Sequence, residues 1–591
     1  MEENTPFQKW MYRRLISFGI VFALGLVGLL VMRDGNRTAT KTTQIARPAD
    51  DPWQKALAAF RRETDAESCR RILNELNSDL TKVPTAPQPG ETNAEDLAAI
   101  STALGLNEKE AREIKPSAYS PLDGAYLAET IYLRDVALGL EVSALPPAKR
   151  ALAAFNWVVR QVVLTPSNPE VPNLPPVSPS YILRRGSGTE LERAYAFLEL
   201  CRQLGLNACL IGPKQDTAPN APAFWAVGVR ADQQILLFDP KRGEALPFNL
   251  EQLRNQVPEF AAKFSELAKA NNIGVEDLRK AEVFIAVPLS AFATRLKLLE
   301  EKLEVERGVK LTTNREGILK GFTNAAQGAP VGFWNPPKYP FSLTRTLAYF
   351  FSEAEGGFAP TLSNGHSELA SGYHNGLLPE QKLFVIPEEL AFQEPKLRIR
   401  NESIGRFAKS FLAPPMPREL FQRGQFAEAT KLLVNAWDEY TKMTERSRNE
   451  PDRQKTVGDW IKKANHLYAQ LNGAANDAER GLAQQEMNQF WKGNLRGIEL
   501  LAEQGLGPAG TGEAIFLLAL CKHELAERLS GPDANDPAKL TEEAREAWLV
   551  AYDWWKRYGE FSSDKKANYP GRTEHAKKLT DRAGRMAGIL P

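Results

Sequence analysis

Between Arg184 and Pro240 the chain reads RRGSGTELERAYAFLELCRQLGLNACLIG, then a short loop, then APAFWAVGVRADQQILLFDP, and this order admits few folds. Leu191, Ala194, Leu198 and Cys201 recur at helical spacing until Gly205 ends the run, so the first half is a glycine-broken turn, a helix capped by Ser187 or Thr189, and a buried strand. Phe224 to Val229 and Ile235 to Phe238 are apolar runs parted by the polar turn Ala231 to Gln233, and Asp239-Pro240 closes the second. They predict two short paired strands.

Gly188, Ala194, Leu204-Gly205-Leu206, Ala208, Trp225 and Asp239-Pro240 carry a resemblance to the transglutaminase-like, papain-related fold. In that family a Cys opens a helix, and His and Asp come from two adjacent strands. The resemblance implies an α+β domain and places the nucleophile on Glu190, the base on Ala223 or Phe224, and the acid on Asp239. Only the acid keeps the family's chemistry. A cysteine nucleophile depends on a helix N-terminus and a neighbouring imidazolium to favour the thiolate, and the imidazole also moves protons. No carboxylate performs both roles. The five His residues are His366, His374, His466, His523 and His575, so none precedes Gly365. The expectation is a degenerate member without catalysis.

Residue types at the nucleophile position also fit a structural role. Ser187 with Glu190, or Thr189 with Glu192, satisfies the S/T-x-x-E capping box, and an acid suits the positive end of a helix. Two catalytic alternatives stand beside this. Glu190 and Asp239 could act as a carboxylate pair in hydrolysis. Alternatively, the chain is a cysteine peptidase or acyl transferase with a displaced nucleophile, Cys201 or Cys209. Cys201 lies mid-helix on the apolar stripe, whereas a working thiolate sits at a helix start with polar neighbours.

Lys+Arg 74 against Asp+Glu 73 gives no electrostatic case for nucleic acid. Cys69, Cys201, Cys209 and Cys521 lack CxxC spacing, so neither a metal site nor a disulfide framework is indicated, and no cofactor is expected. Leu15 to Met32 is an uncharged apolar run preceded by Lys9, Arg13 and Arg14, and it reads as a transmembrane anchor. The short basic tail 1–14 is then cytoplasmic and the bulk of the chain extracytoplasmic, in a single-pass arrangement.

Composition along the chain sets the remaining boundaries. Residues 33–51 form a polar linker, 52–118 a helical region, 119–325 the transglutaminase-like domain, 326–416 an irregular Gly/Pro-rich connection, and 417–591 a helical domain. The proline-rich stretch Thr165 to Tyr181 cannot be helical and predicts an extended strap. His366 and His374 fall in a loop-like stretch. After Pro417, Gly424-x-Phe426-x-Glu428-Ala429 joins two helical halves in a way that resembles tetratricopeptide-type repeats, and a plain bundle is the alternative. Trp225, Trp548, Trp554 and Trp555 are candidate binding residues or core. The expected function is a membrane-anchored scaffold for protein or peptide partners.

Overall fold

The computed structural model describes residues 51–106, 108–165, 178–214, 224–334, 417–449 and, with short gaps, 459–590. The chain enters through α1 (Pro52–Phe60), α2 (Ala66–Lys82), α3 (Ala94–Leu104), α4 (Glu108–Ile114), α5 (Pro121–Gly139) and α6 (Pro147–Gln161). Local chemistry sets several of these ends. Asp65 and Asn93 accept first-turn amides of α2 and α3, and Ser120 with Asp123 makes a full capping box ahead of α5. Helix α5 is buried on most of its faces, so a charged acid on it needs a partner. Asp123 has it in Arg295, at 2.6 and 3.0 Å.

Next come β1 (Val163–Leu164), α7 (Pro179–Arg185), β2 (Ser187–Gly188) and α8 (Glu190–Gln203). Strands β1 and β2 pair in parallel, Val163 opposite Ser187. Gly186 ends α7 at φ 73°, and a Cβ there would also run into the Arg418 guanidinium. Both constraints select glycine.

The main sheet comprises β3 (Ala208–Gly212), β4 (Ala226–Ala231), β5 (Gln234–Asp239), β6 (Glu244–Asn249), β7 (Glu282–Ile285) and β8 (Val331–Phe333), in the order β6-β5-β4-β3-β7-β8. All neighbours are antiparallel except β7 and β8. Helices α9 (Leu250–Asn255), α10 (Ala261–Ala270), α11 (Arg295–Arg307) and α12 (Arg315–Ala325) fill the connections. The sheet is covered on both faces. Cys209, Ile211, Ile235 and Leu237 join one core with α1, α2 and α11, whereas Leu210, Val227, Val229 and Phe238 join another with α6 and α8. That alternation is the period of the strand, and burial on both sides explains the continuous apolar sequence of β3. Phe155, Phe197 and Phe238, with ring centroids 5.0 to 5.2 Å apart, fasten α6 and α8 to the sheet.

Past the connection come α13 (Pro417–Gln422), α14 (Phe426–Asn449), α15 (Asp477–Gly493), α16 (Leu495–Ser530), α17 (Glu542–Asp564) and α18 (Pro570–Met586). Leu433, Leu518, Trp548, Trp555 and Ala583 share a third core, which Val163 of β1 also enters. The two parts are therefore packed together through a common apolar cluster as well as through charges.

Two expectations are corrected. Among the described residues the structure is mostly helical, 68%, with a small sheet, so the α+β fold class does not hold. The reason is visible in the elements: the strands of the main sheet are only three to six residues long, and the connections from β6 to β7 and from β7 to β8 are built of helices. The membrane part is corrected as well, since no helix among the described residues is long and apolar enough to cross a bilayer. Even α16, at 36 residues, carries Arg496, Glu499, Glu503, Lys522 and Glu524 along its length. Leu15 to Met32, His366, His374 and most of the proline-rich strap lie outside the described residues.

Candidate functional site

The N-terminus of α8 is where the resemblance places the chemistry. Its cap is Thr189: the hydroxyl accepts from Glu192 N at 3.3 Å, and Glu192 Oε2 accepts from Thr189 N at 2.8 Å. The Ser187 box is not used, because Ser187 is paired in β2. Glu192 also takes Arg185 Nη2 at 3.0 Å. Glu190 is thereby left as the first helical residue with its carboxylate free to turn outward. It meets Lys241 Nζ at 3.5 Å, both side chains 44% exposed.

Asp239 closes β5 beside it. Oδ1 accepts from the amides of Lys241 and Arg242 at 2.9 and 3.0 Å, the geometry of an Asx turn. Oδ2 is buried and has no hydrogen-bond partner among the described residues. Burial raises this carboxyl above the usual range, the turn amides and Arg242 oppose the rise, and the Glu190 charge adds to it.

Arg193, three residues into the same helix face, ties the pole together. Its guanidinium donates to Val162 O at 3.1 Å and to Pro240 O at 2.7 Å, joining α8 to the ends of α6 and β5. Burial lowers it to about 10, and the Asp239 and Glu190 carboxylates act the other way. An imidazole also comes close, from α18. His575 lies 3.1 Å from Arg160 O through Nε2, and burial together with the Arg193 charge lowers it to about 3. It is held neutral against a carbonyl.

Glu190 and Asp239 are thus brought to one pole through Lys241, while Ala223 lies outside the described residues. Phe224 is half-buried and packs against the α6–α8 core. Trp225 is core, its amide donating to Ile211 O at 2.6 Å. Trp548 and Trp555 are core too, bonded through Nε1 to Ser530 Oγ and His523 Nδ1 at 2.7 and 3.3 Å. Trp554 differs: it is half-buried, set edge-on to Trp437 at 5.5 Å with Arg557 5.0 Å from its ring centroid. Cys201 and Cys209 are fully buried, and burial pushes both thiols up, away from reactivity. No group of three metal-ligating side chains occurs among the described residues.

Sequence reasoning passed over Arg193, Lys241 and His575. Arg193 was detectable from its i+3 relation to Glu190, and Lys241 from its place after Asp239-Pro240. Nothing in the composition of α18 marks His575. No family model, curated protein or solved structure matches the chain.

Proposed function

We propose that the chain is a scaffold that binds a protein or peptide partner, built on a transglutaminase-like unit that does not catalyse, with helices resembling tetratricopeptide hairpins behind it. The observation that carries the binding role is an apolar face across α14 and α17. Trp437 touches Trp554, and Val434 and Val550, one turn away on the same two helices, are exposed at 38 and 44%. Aromatic residues set among aliphatic neighbours are the usual anchors of protein interfaces. The non-catalytic role is supported by chemistry at the α8 pole, where Glu190, on the position the resemblance gives to the nucleophile, is in an ion pair with Lys241, and by the burial of Cys201 and Cys209.

The test is an array of peptides rich in aliphatic and aromatic residues, probed with the full chain and with Trp554→Ser. Bound peptides should lose at least about tenfold in affinity with the variant and be recovered chemically unchanged by mass spectrometry. Binding indifferent to Trp554→Ser would remove this face. Peptide cleavage or acyl transfer abolished by Cys201→Ala or Cys209→Ala would establish the displaced-nucleophile enzyme instead.

A further inference from the structure

At the other end of α8 a half-enclosed cavity of about 300 Å³ opens between the helix, the start of β3, the residues after β7 and the first turn of α12. At ~30 Å³ for each liquid water, it has room for roughly ten non-hydrogen atoms. Its lining is chemically two-ended.

Glu199 is 3% exposed and lines the wall. Its Oε2 receives Arg202 Nε and Nη2 at 3.0 and 2.5 Å, while Oε1 has no hydrogen bond among the described residues. Behind it sits Glu129, where burial and then the Glu199 charge push the carboxyl up to about 8. Glu129 thus holds its proton at neutral pH, while Glu199, ion-paired with Arg202, is the carboxylate that lines the cavity.

Lys310 and Asn314 line it as well, and Lys310 O accepts from Arg202 Nη1 at 3.0 Å. Lys310 is paired 2.6 Å from Glu304 Oε1, but both side chains are largely open to solvent, at 39 and 55% exposed, so the pair is weak and can be redirected. Asn314 caps α12 by accepting from Gly317 N at 2.9 Å, and the amides that begin that helix have no acceptor within it. Leu206, Val287 and Ile318 supply its apolar wall.

We propose that this cavity binds a free α-amino acid with an aliphatic side chain, its ammonium on Glu199 Oε1, its carboxylate between Lys310 and the first turn of α12, and its side chain against Leu206, Val287 and Ile318. A simple carboxylic acid leaves Glu199 facing an apolar group, and a simple amine leaves Lys310 and the helix start unmatched. Only a ligand with both charges satisfies both ends.

Isothermal titration of the full chain with L-leucine tests this, alongside 4-methylpentanoate and isopentylamine, which each lack one charged end. Saturable binding of leucine is expected, with each truncated analogue weaker by about tenfold or more. Lys310→Ala should weaken leucine by a similar factor while leaving the amine unchanged. Ile318→Asp, on a half-buried side chain, should weaken leucine without unfolding the chain. Absence of leucine binding at millimolar concentration overturns the proposal, as does an analogue that binds as well as leucine. This site is separate from the face on α14 and α17, so either result leaves the peptide-binding test standing.

Discussion

Two regions of the molecule handle charge in opposite ways. Where the C-terminal helices dock on the core, Arg160 meets Glu524 through two bonds of 2.9 Å, and Gln161 Nε2 adds a third at 3.0 Å. Glu527 on the same helix takes Arg582 at 2.6 and 3.0 Å, and Arg418 donates to Leu183 O and Gln161 O at 2.9 and 2.5 Å. At the α8 pole, by contrast, Glu190 and Lys241 form one long pair in open solvent. The same residue types carry different meanings. A buried charge held by several bonds is architecture, because removing one partner strands the other; an exposed pair is screened and replaceable. The junction is therefore permanent, whereas the Glu190–Lys241 pair at the α8 pole is surface.

Arg160→Ala should break it most sharply. Glu524 would lose its bidentate partner while 5% exposed, which costs about 3–5 kcal/mol for a buried pair broken from one side. Arg160 also lies 3.5 Å from Glu527, so a second acid is left short of charge. Thermal or denaturant unfolding measures the loss. A cost below ~1 kcal/mol would mean that the junction is as loosely held as the Glu190–Lys241 pair, and the contrast would fail.

Acid should act next, through the junction imidazoles. His523 Nδ1 accepts from Trp555 Nε1, and indole can only donate, so the ring is neutral as folded. Burial lowers His523, with Glu527 opposing, and His575 falls to about 3, where Arg193, Arg572 and His523 all disfavour its charge. In the unfolded chain both rings charge near the ordinary value of ~6.5. The unfolded state therefore binds more protons below that pH, and stability falls as pH drops below ~6.5, for His575 through a window reaching to about 3, by up to ~1.4 kcal/mol per pH unit for that ring, with His523 acting in the same direction. Glu129 works the other way: raised to about 8 when folded, it favours the folded state as pH falls towards its unfolded value. His575→Gln isolates the imidazole term, since the amide can still donate to Arg160 O. The variant should lose less melting temperature than the parent between pH 7 and pH 4. Parallel pH profiles would show that α18 contributes no titrating group to the junction.

How far the sequence disclosed these regions depends on which signals are local. The α8 cap and the strands around Val227 and Leu237 were legible, because capping boxes and apolar runs are written within a few residues. Edge strands were not. In β6, Glu244–Asn249, the outer residues are largely exposed and Pro247 interrupts the pattern, and β8, Val331–Phe333, is three residues inside a glycine- and proline-rich stretch. The polar N-terminal half of α16, with Gly507, Pro508 and Gly510, masked its continuity, so the apolar pattern alone begins the helix near Gly512. The junction was the least visible of all. Arg160, Glu524, Arg418 and His575 are ordinary residues of helix surfaces until distant segments meet, and no short-range pattern encodes that meeting.

The smallest expected effect sharpens the comparison from its other side. Glu190→Gln removes a carboxylate that is 44% exposed, keeps the Thr189–Glu192 capping box, and forfeits a single pair at 3.5 Å. An exposed pair and a first-turn acid are each worth about 1 kcal/mol or less, so the melting temperature should move little, and the shift should shrink further in high salt. The loss of the Glu190 charge should also let Asp239 ionise at slightly lower pH, because that charge raises its carboxyl. A salt-independent loss of several kcal/mol would instead make Glu190 as integral as Arg160. The Glu190–Lys241 pair would then belong to the core held by charge, and the division between permanent junction and open surface pair would have to be withdrawn.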